Sequence, residues 1–115
     1  MAQWTEITGL DEWNRVLEKS NQHPVLVMKH STRCPISADA WEEFQQFVAA
    51  HEPDAAEFVM VKVIESREVS DRIAEELDVQ HQSPQVILVR DGRAVWNTSH
   101  WHIKKPALEE AMQAV

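Results

Sequence analysis

Short, nearly continuous apolar runs separated by segments with helical periodicity constrain the fold of this chain more than any other feature. Pro24 to His30, PVLVMKH, is almost entirely apolar and ends in polar residues. Such a run is typical of a central strand that is covered on both faces. FVMVKVI, Phe58 to Ile64, repeats the pattern. The sequence therefore predicts a sheet that is buried between layers of helices.

Four segments carry apolar residues at helical spacing and are predicted to be helices. The first runs from about Leu10 to Ser20, with Thr8 and Asp11 as its capping box. The second begins at Cys34, with Pro35 in its first turn. The apolar positions that support the four helices are Leu10, Trp13 and Leu17; Ile36, Ala40, Phe44, Phe47 and Val48; Val69, Ile73 and Leu77; and, after Pro106, Leu108, Ala111, Met112 and Val115.

A short strand from Thr5 to Ile7 and a hairpin complete the predicted sheet. Asp91-Gly92 is a favoured two-residue turn between the strands Val86 to Arg90 and Ala94 to Thr98. The order is then β-α-β-α-β-α-β-β-α, an α/β fold with a mixed sheet and helices on both faces. We expect one domain spanning residues 1–115, because neither repeats nor linkers interrupt the chain.

Composition restricts the classes of function. Nineteen acidic against eleven basic residues give a net charge of −8, and the basic residues are scattered, so nucleic acid is not expected as a partner. We expect neither a signal peptide nor a membrane span, since the strongly apolar stretches are short. A single cysteine cannot form an internal disulfide, which suits a reducing compartment and predicts a cytoplasmic location.

The single cysteine lies in the stretch HSTRCPIS, at the predicted start of the second helix. There the helix dipole and the N–H groups near Ile36 and Ser37 favour the thiolate of Cys34, which is the nucleophilic form. Arg33 adds a positive charge, Pro35 starts the helix, and the Ser37 hydroxyl is expected to donate a hydrogen bond to the sulfur. The alternative is that Cys34 is a small core residue, but its polar neighbours argue against that.

The spacing Cys34-Pro35-Ile36-Ser37 has the form of a Cys-x-x-Cys redox pair whose second thiol is replaced by a hydroxyl. An attacking Cys34 would stop at a mixed disulfide and need an outside thiol to resolve it, which is monothiol chemistry. Pro84 directly precedes a predicted strand, where either a cis bond after Ser83 or an ordinary trans proline is possible.

Taken together, these motifs resemble the thioredoxin-like fold, with Cys-Pro-x-Ser at the active site and Ser83-Pro84 at the cis-proline position. The segments TRCPIS, VIESREVSDRIAEEL and HQSPQVILVRDGRAVWNTSHW resemble more closely the monothiol bacilliredoxins of the YtxJ type. The resemblance implies that Cys34 takes bacillithiol from bacillithiolated client proteins, and that a low-molecular-weight thiol or a reductase regenerates it. It implies no resident cofactor, with bacillithiol as co-substrate, and a substrate-binding role for Gln82, Ser83 and Pro84.

Bacillithiol carries two carboxylates, so an acidic protein needs a local positive region to bind it. The helix N-terminus and Arg33 are expected to supply that region, with Lys29 as a further candidate. Arg33 departs from the small polar residue expected in relatives.

Other readings are weaker but remain open. His100 and His102 suggest a metal site, but no compact ligand set accompanies them, so none is predicted. His30 or His81 could act as a base near Cys34 or simply be solvated or hydrogen-bonded. The tryptophans are not interpreted as stacking platforms. Two alternative functions stay open: a redox-inert thioredoxin-like binding domain, and a thiol peroxidase, for which Ser31-x-x-Cys34 is the only support. We expect a monomer.

Overall fold

The computed structural model describes residues 2–115 and has the predicted order of elements. The strands are β1 (Trp4–Glu6), β2 (Val25–His30), β3 (Glu57–Lys62), β4 (Gln85–Arg90) and β5 (Arg93–Ser99). The helices are α1 (Leu10–Lys19), α2 (Pro35–Ala49), α3 (Arg67–Leu77) and α4 (Lys105–Gln113), and a short 3₁₀ turn, His100–His102, joins β5 to α4.

The five strands form one mixed sheet in the order β1-β3-β2-β4-β5. The central strand β2 runs parallel to β3 and antiparallel to β4, and β4 pairs with β5 through the hairpin. Lys29 pairs with Gln85, which in turn pairs with Ser99. The end of β2, the start of β4 and the end of β5 therefore meet at one end of the sheet, here called the Cys34 end.

Residues of β2 alternate between two hydrophobic layers, and all of them are buried. Leu26 and Met28 join a cluster that includes side chains of α2 and α4. Val25 and Val27 face the opposite cluster, which includes side chains of α1 and α3. Because burying one such side chain stabilises the fold by about 1.5–3 kcal/mol, β2 is firmly held. The polar residues at the end of β2 are consequently carried into the interior.

The hairpin turn has the predicted chemistry. Asp91 and Gly92 both have positive φ angles, 54° and 73°, as a type I′ turn requires. The Asp91 N–H donates to the Ser20 carbonyl at 2.8 Å, and the Gly92 N–H donates to the Ser20 hydroxyl at 2.8 Å. The turn is thus attached to the residue that follows α1.

Two local predictions were wrong. The residue that caps α1 is Gly9 rather than Thr8, and the carboxylate that completes the cap belongs to Glu12 rather than Asp11. Glu12 Oε1 accepts hydrogen bonds from the backbone N–H groups of Thr8 and Gly9, both at 3.1 Å, because a side chain at the third helical position can reach back. Val115 lies beyond the end of α4 and is 49% exposed, so it is not part of that helix's buried face.

Candidate active site

Cys34 is the N-cap residue of α2, and Pro35 occupies the first turn, as the sequence predicts. The Cys34 backbone is extended, its N–H donates to the Ser31 carbonyl at 3.3 Å, and its carbonyl accepts from Ala38 N–H at 3.0 Å. The thiol is free and half-buried. It lies beside the first-turn N–H groups, including that of Ile36, which have no partner within a helix. N–H groups at a helix N-terminus are suited to stabilise negative charge.

Ser37 forms a different interaction from the expected hydrogen bond to the sulfur. Its hydroxyl oxygen accepts from the Ser31 N–H at 2.9 Å and lies 2.8 Å from His30 Nδ1. The side chain is fully buried, because this position of the first turn of α2 faces β2. With the His30 proton on Nε2, the hydroxyl proton goes to Nδ1 and not to Cys34. Ser37 therefore fixes the loop that carries the cysteine.

His30 is a buried partner of this loop, not a solvated side chain. It is 7% exposed, and its ring stacks on Trp41 of α2 with centroids 5.3 Å apart. Burial lowers the pKa of His30, the positive charge of Lys62 lowers it further, and Glu65 opposes both. His30 is therefore neutral at neutral pH, and its Nδ1 is engaged by Ser37.

The positive charge of Arg33 is partly balanced by Glu65. Arg33 is exposed, and Thr32 Oγ1 donates a hydrogen bond to Glu65 Oε2 at 3.1 Å. The pKa of Glu65 is lowered first by a hydrogen bond from its own backbone, then by Thr32, and further by the charges of Lys62 and Arg33. The field near Cys34 is thus less positive than Arg33 alone would make it.

The Ser83-Pro84 bond is cis, so the structure selects one of the two alternatives that the residues left open. Pro84 is buried, Gln82 and Ser83 are half-buried, and the Ser83 hydroxyl oxygen is buried without a hydrogen-bond partner among residues 2–115. Because Lys29 pairs with Gln85, the cis bond lies beside the residues that follow Lys29. The structure therefore brings Ser83-Pro84 to the Cys34 end of the sheet.

Lys29 contributes no surface charge, contrary to its suggested place in the positive region. Its side chain is fully buried and points to the layer of α1 and α3, and Nζ lies 3.2 Å from His81 Nδ1. Burial lowers the Lys29 pKa to about 8, with the Asp71 charge opposing. Burial and the Lys29 charge also lower the pKa of His81. Neither residue lies on the α2 side of the sheet.

His100 and His102 are exposed in the 3₁₀ turn and flank Trp101. Across residues 2–115, no group of three His, Cys, Asp or Glu side chains lies close enough together to hold a metal ion. Within the same residues, every helix is too short or too polar to cross a membrane.

A mixed five-stranded sheet, a cysteine at the N-terminus of α2 and a cis-proline before β4 define a thioredoxin-like oxidoreductase. The chain belongs to the monothiol bacilliredoxin family, whose model matches residues 5–108. The family and the fold predicted from the sequence are both confirmed.

Solved structures agree with this assignment. A candidate oxidoreductase with a thioredoxin fold is 32% identical, with a TM-score of 0.83 over 94% of this chain and 92% of that one. A Malassezia sympodialis thioredoxin is 14% identical, with a TM-score of 0.80 over 99% and 91% of the two chains. Mitochondrial thioredoxin 3 from Saccharomyces cerevisiae is 23% identical, with a TM-score of 0.72 over 96% and 94%. The two thioredoxins support the fold alone.

Proposed function

We propose that this protein removes bacillithiol from S-bacillithiolated proteins by thiol-disulfide exchange at Cys34. The observation that carries the proposal is the half-buried free thiol at the N-terminus of α2, in a chain that has no other cysteine. Family membership supports bacillithiol as the group transferred.

In the proposed reaction the Cys34 thiolate attacks the bacillithiol sulfur of the client's mixed disulfide. The client thiolate leaves and takes up a proton, and a Cys34–bacillithiol disulfide forms. The number of disulfide bonds is unchanged, so this step needs no outside oxidant or reductant. Ser37 cannot close a disulfide with Cys34, so a second thiol must attack the new disulfide. Bacillithiol or a partner reductase supplies that thiol.

The remaining site residues support binding and thiolate formation. Pro35 starts α2, and the N–H groups near Ile36 and Ser37 stabilise the developing negative charge. Arg33 contributes a positive charge, although the negative charge of Glu65 partly balances it. We assign Gln82, Ser83 and Pro84 to the substrate groove, since the last two lie at the Cys34 end. A nucleophile that must stay reduced is consistent with action in the cytoplasm.

The test is intact-mass analysis after mixing the protein with a bacillithiolated client. We expect one bacillithiol mass on the parent chain and none on Cys34→Ser, because an alcohol is a far poorer nucleophile than a thiolate at neutral pH. The variant should keep the parent's circular dichroism spectrum, since the change is nearly isosteric. Full transfer by Cys34→Ser would refute the monothiol mechanism.

Two further outcomes would favour other functions. Rapid consumption of peroxide without bacillithiol transfer would indicate a thiol peroxidase. An unreactive parent thiol would indicate a redox-inert binding domain.

A further inference from the structure

Trp101 is the most exposed large apolar side chain among residues 2–115, at 64% exposure. It lies in the 3₁₀ turn His100–His102, called here the Trp101 turn. A single exposed apolar side chain is ordinary. An indole next to a reactive group nevertheless offers a large rigid apolar face with one N–H donor, which suits ligand binding.

The Trp101 turn lies next to the cis-proline. The His100 N–H donates to the Pro84 carbonyl at 3.0 Å, directly after β5 ends opposite Gln85. Helix α2, whose N-cap residue is Cys34, also contacts the turn. The turn therefore belongs to the same end of the sheet as the cysteine and Ser83-Pro84.

The turn is fixed at both ends. His100 has a φ of 55°, a left-handed conformation that costs a non-glycine residue about 1–2 kcal/mol. The bond to Pro84 holds it on one side. On the other, the Ile103 N–H donates to the His100 carbonyl at 3.3 Å, and the Ile103 side chain is buried in the core. Trp101 is thus presented to solvent by a braced backbone.

Two histidines and two lysines lie in or beside the turn, in a chain whose overall charge is −8. One carboxylate is also near, since Glu43 Oε1 accepts a hydrogen bond from the Lys105 backbone N–H at 2.9 Å. His100, His102 and Lys104 are all exposed, and none of them forms an ion pair within residues 2–115. Lys105 adds a fourth nearby donor, although its Nζ is occupied by Gln46 Oε1 at 2.8 Å. An aromatic face flanked by Lys104, which forms no ion pair within residues 2–115, and by two imidazole rings that can hydrogen-bond suits a ligand with a ring and carboxylates.

We propose that the Trp101 turn binds the aminosugar-malate part of bacillithiol while its sulfur reacts at Cys34; this proposal rests on the function proposed above. The indole packs against the sugar ring, and Lys104 with the flanking histidines attracts the two malate carboxylates. The bacillithiol part is the same in every substrate, whereas client proteins differ, so a fixed binding site suits the bacillithiol part. The charge pattern favours this occupant over an apolar client segment.

The test compares two substrates: one client carrying bacillithiol, and the same client carrying cysteine, in mixed disulfide. We expect Trp101→Ala to slow transfer of bacillithiol about tenfold, and transfer of cysteine less than about twofold, because cysteine has neither sugar nor malate. Lys104→Gln should slow bacillithiol transfer less than Trp101→Ala does. Its effect should shrink at high salt, because salt screens the attraction between a lysine and a carboxylate.

Val95→Ala is the matched control, since Val95 is 51% exposed on β5. It should leave both rates unchanged. Trp101→Phe keeps an aromatic ring and covers the case in which Trp101→Ala folds poorly. We expect Trp101→Phe to have the parent's melting temperature and to retain part of the preference for bacillithiol.

Equal slowing with both substrates would overturn the inference and indicate docking of the client protein. Unchanged bacillithiol transfer by Trp101→Ala would overturn it as well while leaving the proposed function intact. A parent that transfers cysteine but not bacillithiol would instead refute the proposed function.

Discussion

At the scale of single residues, Ser37 shows how a motif position acquires its role from its neighbours. In the sequence it stands where a second redox cysteine would be. In the fold its hydroxyl joins the Ser31 backbone to the His30 ring. The residue that makes this a monothiol protein also holds the loop on which the thiol is carried.

We therefore expect Ser37→Ala to lower the free energy of unfolding by about 1–3 kcal/mol, because it leaves the part-buried Ser31 N–H and the buried His30 Nδ1 without their partner. Urea denaturation measures this. Ser31→Ala is the control: it keeps the backbone donor and should change stability by less than about 0.5 kcal/mol. Equal stability of Ser37→Ala and the parent would show that the network does not brace the loop.

At the scale of elements, α2 and the β4–β5 hairpin arrange the candidate site. Helix α2 begins at the cysteine and packs its inner face on β2. The hairpin places the end of β5 beside the start of β4, which brings the Trp101 turn to Pro84. The position of the turn therefore depends on the register of the hairpin.

Gly92→Ala should destabilise the protein by about 1–2 kcal/mol. The backbone of Gly92 has a φ of 73°, where a Cβ is unfavourable, although a Cβ added there would meet no atom within 4 Å. The cost is therefore conformational and not steric crowding by neighbours. Gly92→Asn is the control, since asparagine tolerates this conformation and should lose less stability. Thermal unfolding of both variants checks the prediction, and an equal loss would contradict it.

At the scale of the whole molecule, the buried Lys29 links global stability to pH. Burial lowers its pKa from 10.5 to about 8 in the folded state. Between these values the unfolded chain binds more protons than the folded chain, so this group makes the protein more stable as pH rises through that window. Below about pH 8 the lysine is charged in both states, and the cost of burying the charge is fully present.

Lys29→Met should raise the free energy of unfolding at pH 7 by up to about 3 kcal/mol, which corresponds to the lowering of the pKa to about 8. The gain should shrink as pH rises to about 10.5. Urea denaturation of parent and variant across this range measures it, and taking their difference cancels groups that titrate in both. Lys104→Met, at an exposed lysine, should show no such trend. A less stable Lys29→Met at pH 7 would mean that contacts with His81 and Asp71 outweigh the cost of burial.

The chain's charge of −8 favours separate molecules over self-association, and the monomeric state remains a prediction.

The sequence by itself determined the order of the elements, the start of α2 at Cys34-Pro35 and the Asp91-Gly92 turn. These features depend on hydrophobic periodicity and on the backbone preferences of proline and glycine, which act between near neighbours in the chain. The cap of α1 shows the limit of predictions from local sequence. Thr8 was predicted, but Gly9 is the cap, and a shift of one residue changes the local pattern very little.

The partners of the polar groups were decided only by the tertiary structure. Lys29 meets His81, 52 positions away, because β2 continues between two layers and carries the lysine under the loop before β4. His100 reaches Pro84 because β4 and β5 pair so that Gln85 lies opposite Ser99. A buried donor or acceptor must find a partner wherever the packed chain supplies one. That choice depends on the order of strands in space, which the local pattern of residues does not encode.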